Sequence, residues 1–159
     1  LNTRIRRLLE EQGRRRAERE LAGQLHEGLL KANAFQVPPS LIEGALARIY
    51  DRVRREVLGP RRDWVDAEKT RVVEQLRPRA EEEVRLSYIL RSVAEAEKLQ
   101  VADAEVEGEI GRRVQGLEAE GDRAKLKGML EGNREEVRAM LLERKVMDFL
   151  RDAAQIKEG

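Results

Sequence analysis

The stretch that decides the fold class is residues 39–58, PSLIEGALARIYDRVRREVL. Its apolar residues recur every three or four positions, which is the period of an α-helix with one buried face. A proline suits the first helical turn, and the Gly59-Pro60 pair ends the pattern. We therefore predict an amphipathic helix over residues 39–58. Its apolar stripe consists of Ile42, Leu46, Ile49, Val53 and Val57, widened by Leu41, Ala45 and Tyr50.

The helical period continues over most of the chain on both sides of this stretch. More than half of the residues are Ala, Leu, Glu, Lys or Arg, and aromatic residues make up only 3%. This composition is typical of long helices and argues against a β-sandwich, a barrel or a Rossmann sheet. We predict an all-α fold of six or seven helices. The other helical segments are residues 1–33, 63–99, 103–120, a short helix around 126–130, and 134–154.

Two features of the pattern predict irregularities. Pro78 lies inside the third helical segment, and we expect a break or kink before it because proline lacks the N–H that a helix interior uses. The end of the chain, residues 155–158, is predicted to be extended or frayed. Residues 84–98 and 137–150 are apolar enough for an ordinary core, whereas the earlier helices carry narrow stripes and many arginines. This difference predicts an elongated multi-helix domain in which helical arms are attached to a compact body.

The side chains that carry most enzyme chemistry are scarce. The chain has no cysteine and a single histidine, His26, with no serine within a helical turn of it. We interpret His26 as a surface or half-buried helix residue, since a histidine is a catalyst only among arranged partners. Neighbouring carboxylates at Glu81, Glu82 and Glu83 point about 100° apart on a helix and cannot converge on one cation. We predict no catalytic residue, no metal site and no cofactor.

Three blocks of the sequence are similar to motifs of one known family. Residues 29–42, LLKANAFQVPPSLI, are similar to its pattern L-x-x-A-N-P-F-x-V-P-x-S-L-V. Residues 79–90 followed by 99–106 resemble its next helix and a V-[ST]-D-E-E-V turn. Residues 143–158 resemble its C-terminal E-x-K-V-L-D-F-L…A-x-V-x-E. The blocks occur in family order, together span about residues 20–158, and resemble the trigger factor family of ribosome-associated bacterial chaperones.

The resemblance implies the C-terminal substrate-binding domain of that family, with two helical arms on a body. In the family this domain follows a ribosome-docking domain and a prolyl isomerase domain of the FK506-binding type, neither of which matches this sequence. Because the chain also begins at Leu1, we expect residues 1–20 to be a linker helix from a missing N-terminal part and residues 21–159 to be the chaperone domain. Isomerase activity and ribosome contact would then belong to the parent chain, in the bacterial cytoplasm.

The chain departs from the family pattern at two turns. Ala34 stands where the family has proline after Asn33, which loosens that turn. Ala102 stands where the family often has Ser or Thr, so a helix-capping hydroxyl is lost there unless Asp103 replaces it.

A chaperone needs accessible apolar surface that is dispersed and flanked by charge. The stripe on residues 39–58 is the best candidate, although the same stripe would serve equally well as an intramolecular core. Trp64 is either an anchor or an exposed arm tip, and methionines supply adaptable contacts. The predicted polypeptide-binding residues are Ile42, Leu46, Ile49, Tyr50, Val53, Val57, Trp64, Met129 and Met140.

Two other functions stay open at this point. A helical adaptor that binds one specific folded partner would carry a compact patch instead of dispersed apolar residues. Nucleic-acid binding is suggested by residues 1–20, with seven Arg against four Glu, and by residues 48–62, with six Arg against two acids. The net charge of only +1 and the lack of a nucleic-acid motif disfavour it.

No apolar run approaches the roughly 18 residues of a membrane span, so no membrane contact is expected. Weak self-association of the chain stays open.

Overall fold

The computed structural model describes residues 2–158, and the side chains of residues 2–155. The described residues form six α-helices and no strand, which confirms the all-α prediction. The helices are α1 (Asn2–Ala32), α2 (Pro39–Leu58), α3 (Asp66–Ala96), α4 (Asp103–Gln115), α5 (Glu120–Gly132) and α6 (Arg134–Glu158). They belong to two compact units, Leu1–Ile89 and Leu90–Gly159, which we call unit 1 and unit 2.

Unit 1 is built on the packing of α2 against α3. The apolar stripe of α2 meets small and branched residues of α3, and Val37 closes the cluster from the preceding loop. An ion pair between Arg77 and Glu43 joins the two helices at the surface. The buried residues of this core are Val37, Ala45, Leu46, Ile49, Ala80 and Val84, with Ile42, Val53, Val73 and Leu76 packed around them.

The first helix, α1, is only partly covered. None of its described residues is fully buried, as expected for a helix whose middle, around Gly13–Arg16, has almost no apolar face. Leu21, Leu25 and Leu29 are half-buried, whereas the apolar residues nearer the start, Ile5, Leu8 and Leu9, are exposed. The helix runs through residue 20 without interruption, and the predicted linker boundary there stays a prediction.

A break before Pro78 is wrong, because α3 continues from Asp66 to Ala96; the alternative of a kink there stays a prediction. Proline removes one hydrogen bond to the carbonyl four residues earlier, here that of Glu74. Both Pro78 and Glu74 are exposed, so water can satisfy that carbonyl. Leu76 and Ala80, on either side of the proline, pack into the core with α2 and hold the helix together across it.

Unit 2 packs α4, α5 and α6 around a second core. The buried residues are Val101, Val106, Ile110, Leu130 and Val137, with Val114, Leu126, Leu141 and Leu142 packed around them. Helix α4 ends at Gln115, five residues before its predicted end, since the chain turns at Gly116. Helix α6 continues to Glu158, so the prediction of an extended piece at residues 155–158 is wrong, and the alternative of a frayed end stays a prediction.

The start of α4 has half of a capping box. Glu105 reaches back so that its carboxylate accepts a hydrogen bond of 2.8 Å from the Ala102 backbone N–H. Ala102 has no side-chain oxygen to return the bond to the Glu105 N–H. Asp103 does not replace the missing cap, as its carboxylate pairs with Arg138 of α6 instead. The hydrogen bond that Arg138 donates, and then the positive charge of its guanidinium, lower the pKa of Asp103.

Replacing Ala102 with serine should therefore stabilise unit 2. The residue already has the extended backbone of an N-cap, φ −73° and ψ 155°, and it is exposed. A serine hydroxyl would complete the box and raise the free energy of unfolding by about 1 kcal/mol. Chemical denaturation followed by circular dichroism measures this gain. Ala104→Ser, one residue inside the helix, is the control and should be neutral or slightly destabilising; equal effects at both positions would contradict the capping argument.

Candidate functional site

The most exposed large apolar side chains of unit 1 lie at the end of the α2–α3 pair. Val57 is 65% exposed in the last turn of α2, and Val65 is 67% exposed just before α3. We call residues 50–69, which include both valines and the connecting loop, the α2–α3 tip. An apolar side chain with this exposure contributes nothing to the core, so it is available to another molecule.

Asp63 organises the loop of the tip. Its carboxylate accepts hydrogen bonds from the Tyr50 hydroxyl on α2 and, at 2.9 Å, from the Trp64 backbone N–H. The Lys69 ammonium on α3 lies 3.4 Å from the other carboxylate oxygen. These donors, with the Tyr50 hydrogen bond the largest contribution, hold the pKa of Asp63 below its ordinary value. One carboxylate thus ties the loop to both helices.

Arg54 fixes the loop from the α2 side. One terminal nitrogen of its guanidinium donates to the Arg62 carbonyl at 2.7 Å, and the other donates to Asp51 at 2.7 Å. The Arg54 side chain is only 16% exposed, although it carries a charge. Gly59 takes a positive φ of 85° where the chain leaves α2, a conformation that favours glycine. The backbone between the two valines is therefore held by specific contacts.

Two aromatic rings support the same loop. The Tyr50 and Trp64 rings lie 5.6 Å apart between centroids, and the Lys69 ammonium lies 5.3 Å from the Tyr50 centroid. Desolvation first, and the hydrogen bond to Asp63 second, raise the pKa of Tyr50 to about 12. The tyrosine therefore stays a neutral donor to Asp63 at physiological pH. Because the tip is held in place, the two valines meet a partner with little further ordering of the loop.

The family of the chain follows from comparison with known proteins. The family model described as the bacterial trigger factor protein C-terminus matches residues 1–152. The chain belongs to the trigger factor C-terminal family. Trigger factor of Anaeromyxobacter dehalogenans (strain 2CP-C) is 33% identical over 99% of the chain, and that of Anaeromyxobacter sp. (strain Fw109-5) is 33% identical over the same share.

The chain corresponds to part of these trigger factors only. It spans 37% of the length of both Anaeromyxobacter proteins and 32% of the trigger factor of Rhodopirellula baltica, to which it is 28% identical. No solved structure shows significant similarity to the chain. Within the described residues, no helix is long and apolar enough to cross a bilayer.

Some of the predicted polypeptide-binding residues are buried in the structure, and others are exposed. Leu46 and Ile49 are 3% and 1% exposed and form the core of unit 1, so the expectation that they are accessible is wrong. Ile42 and Val53 pack against that core and are partly buried. The apolar stripe of α2 is therefore part of the core where it packs against α3, and its end at Val57 is exposed.

The remaining predicted residues lie in two places. Tyr50, Val57 and Trp64 come together at the α2–α3 tip, where Trp64 is half-buried against Tyr50 and not a free anchor. Met129 and Met140 belong to unit 2, with Met129 58% exposed on α5. Met140 is half-buried, and its sulfur accepts a contact of 2.9 Å from the Arg113 guanidinium.

Several exposed apolar residues were not among the predicted ones. Besides Val65 they include an edge-to-face pair, Phe35 and Tyr88, with ring centroids 6.3 Å apart. The Phe35 carbonyl accepts a hydrogen bond of 3.1 Å from Arg85. Neither Val65 nor Phe35 belongs to the apolar clusters of the described residues. The others are Ile5, Leu8, Leu9 and Leu41.

Nothing in the described part of the chain resembles a catalytic arrangement. His26 is half-buried in α1, as predicted, and its Nε2 atom has no hydrogen-bond partner there. Glu81 forms an ion pair with Arg85 at 2.6 Å. The described residues contain no group of three His, Asp or Glu side chains placed to hold a metal ion.

Proposed function

We propose that the chain is a chaperone domain that binds unfolded and nascent polypeptides, and that the α2–α3 tip is one of its binding surfaces. The observation that carries the proposal is the pair of exposed valines, Val57 and Val65, on a loop fixed by Asp63 and Arg54. Membership of the trigger factor family supports the chaperone role.

The expected affinity is weak, and weakness suits the role. Burying a valine-sized side chain contributes about 1.5–3 kcal/mol, and two such contacts must offset the ordering of a flexible client. Binding of this kind does not depend on an exact client sequence and releases readily. The proposed domain performs no reaction. In this proposal prolyl isomerisation and ribosome contact reside in parts of the cytoplasmic parent protein that these residues do not include.

Suppression of aggregation tests the proposal. A chemically denatured, unrelated globular protein is diluted into buffer with and without the chain, and light scattering is followed. We expect the chain at several-fold molar excess to reduce scattering, and Val57→Ser/Val65→Ser to lose much of that effect. Both valines are exposed, so circular dichroism should show an unchanged fold and a stability change within about 0.5 kcal/mol.

A matched control locates the effect. Leu8→Ser/Leu9→Ser removes two exposed leucines, 53% and 63% exposed, from α1. Activity that the valine variant loses and the leucine variant keeps supports a binding surface at the tip. An equal loss in both variants would overturn the tip as a distinct surface. If the intact chain gives no suppression, the chaperone proposal fails for these residues and the adaptor that binds one folded partner takes its place.

A further inference from the structure

The charges at the α2–α3 tip are arranged unevenly. The loop between Val57 and Val65 contains one acid and two arginines, Asp63, Arg61 and Arg62. The carboxylate of Asp63 is occupied by Tyr50, the Trp64 N–H and Lys69. Both arginines are exposed, and among the described side chains neither has a carboxylate within ion-pair distance. The loop therefore presents uncompensated positive charge beside two exposed aliphatic side chains.

The rest of the tip does not remove this positive charge. Arg54 and Arg55 share a single carboxylate, that of Asp51, at 2.7 and 2.8 Å. Over the whole tip, residues 50–69, the sequence has five arginines and one lysine against five acids. Glu56 is exposed on α2, and Asp66 and Glu68 lie at the start of α3, where acidic side chains favour the helix N-terminus. Apart from Asp63, whose carboxylate is already engaged, the acids of the tip lie on the helices, whereas Arg61 and Arg62 lie on the loop between the valines.

We infer that the α2–α3 tip selects polypeptide segments in which aliphatic or aromatic residues are flanked by Asp or Glu. This inference rests on the proposed function and adds a charge preference to it. The two valines would cover the apolar residues of the client, while Arg61 and Arg62 pair with the flanking carboxylates. Guanidinium groups suit this role, because they are weakly hydrated and bind carboxylates with two parallel hydrogen bonds.

An anionic polypeptide fits the tip better than a nucleic acid does. Phosphate contacts would use the arginines but would leave Val57 and Val65 exposed. Single-stranded nucleic acids stack their bases on free aromatic faces. The two aromatic rings of the tip are instead engaged with each other and with Lys69. The combination of exposed aliphatic side chains with unpaired cations matches a mixed apolar and acidic segment.

Fluorescence anisotropy with labelled peptides tests the preference. Three unstructured peptides share one apolar centre, flanked by glutamates, by lysines or by serines. At low salt we expect the glutamate-flanked peptide to bind the chain about two- to tenfold more tightly than the lysine-flanked one, the range of two exposed ion pairs. The difference should shrink at high salt. Arg61→Ser/Arg62→Ser should abolish the difference, and Arg7→Ser/Arg14→Ser, the same charge change on α1, should preserve it.

The outcomes separate this inference from the proposed function. Equal binding of the acidic and basic peptides, or a preference that survives Arg61→Ser/Arg62→Ser, overturns the inference. The proposed function still stands in that case if Val57→Ser/Val65→Ser weakens binding of the serine-flanked peptide. If Val57→Ser/Val65→Ser leaves binding of the serine-flanked peptide unchanged, the tip is not a client surface, and both the inference and the proposed binding surface are overturned. A labelled RNA oligonucleotide that displaces the acidic peptide, and whose own binding needs the arginines but not the valines, overturns the inference in favour of nucleic acid.

Discussion

Ile49→Ala is expected to lower the free energy of unfolding of unit 1 by about 2–4 kcal/mol. Ile49 is 1% exposed and lies in the cluster that joins α2 to α3. Truncation to alanine removes buried methyl groups and leaves a cavity that close-packed neighbours fill only in part. Ala45, one helical turn earlier in the same cluster, has too small a side chain to move into the cavity and fill it.

The single tryptophan gives this prediction a clean measurement. Trp64 is the only tryptophan of the chain and lies in unit 1, so its fluorescence reports the unfolding of that unit. Urea titration should show a lower midpoint for Ile49→Ala by tryptophan fluorescence. Val57→Ala, on the same stripe but 65% exposed, is the matched control and should change stability by less than about 0.5 kcal/mol. Similar midpoints for the two variants would contradict the assignment of Ile49 to the core.

Because Ile49 is buried and Val57 is exposed, only substitutions at exposed residues such as Val57 can map the client surface. A variant with serine at Leu46 and Ile49 places two hydroxyls among buried apolar residues, where each unpaired group costs about 1–3 kcal/mol besides the lost packing. Such a variant is expected to unfold unit 1, and its loss of chaperone activity would follow from unfolding. Substitutions at Val57 and Val65 avoid that ambiguity, because both side chains are already in water.

The helices could be predicted from the sequence where local signals agree. The bounds of α2 match the prediction, because Pro39, the apolar stripe and Gly59 all indicate the same ends. Helix α3 did not break at Pro78, since packing on both sides of the proline outweighs the loss of one hydrogen bond. Local propensity alone contains no information about that packing.

The division between core and binding surface could not be predicted from periodicity. Ile49 and Val57 lie on the same stripe at helical spacing, and only the position of α3 separates them. Ile49 shares a buried cluster with Ala80 and Val84 of α3, whereas Val57 is 65% exposed. Val65 lies outside the stripes, so a search for helical patterns does not single it out. A stripe predicts which face is apolar, and tertiary packing decides how far along the helix it is buried.

The helical pattern also could not predict that unit 2 contains a buried carboxylate, that of Glu109. Glu109 lies in α4 between Val106 and Ile110 and is 7% exposed. Arg112 bonds both of its oxygens at 2.7 Å, Arg113 donates at 2.8 Å, and Arg144 of α6 lies at 3.9 Å. Arginines three and four residues after a glutamate are a signal for such pairing on a helix. Pairing on an exposed face looks the same in the sequence, so burial could not be inferred.

Glu109→Ala should lower the free energy of unfolding of unit 2 by about 1–3 kcal/mol. Removing one member of a buried ion pair is costly chiefly when its partner stays buried without a counter-charge. Here the side chains of Arg112 and Arg144 are 66% and 52% exposed and regain water, which places the cost at the lower end. Hydrogen exchange of the α4 amides measures the change in this unit. Glu107→Ala is the control: Glu107 is 68% exposed in its pair with Arg134, and its loss should cost at most about 1 kcal/mol.

The same carboxylate gives unit 2 an acid sensitivity with a defined sign. Hydrogen bonds from Arg112 first, and then from Arg113, lower the pKa of Glu109 from its ordinary value of 4.5. The stabilising contribution is therefore complete above pH 4.5 and is lost as the pH falls through the lowered pKa of the folded state. Glu109→Gln has no such proton to bind, so its free energy of unfolding should fall less steeply as the pH drops below 4.5. The lowered pKa values of Asp103 and Glu105 add a common slope to both proteins. Parallel pH profiles for the two proteins would show that the arginines do not favour the ionised form of Glu109 in solution.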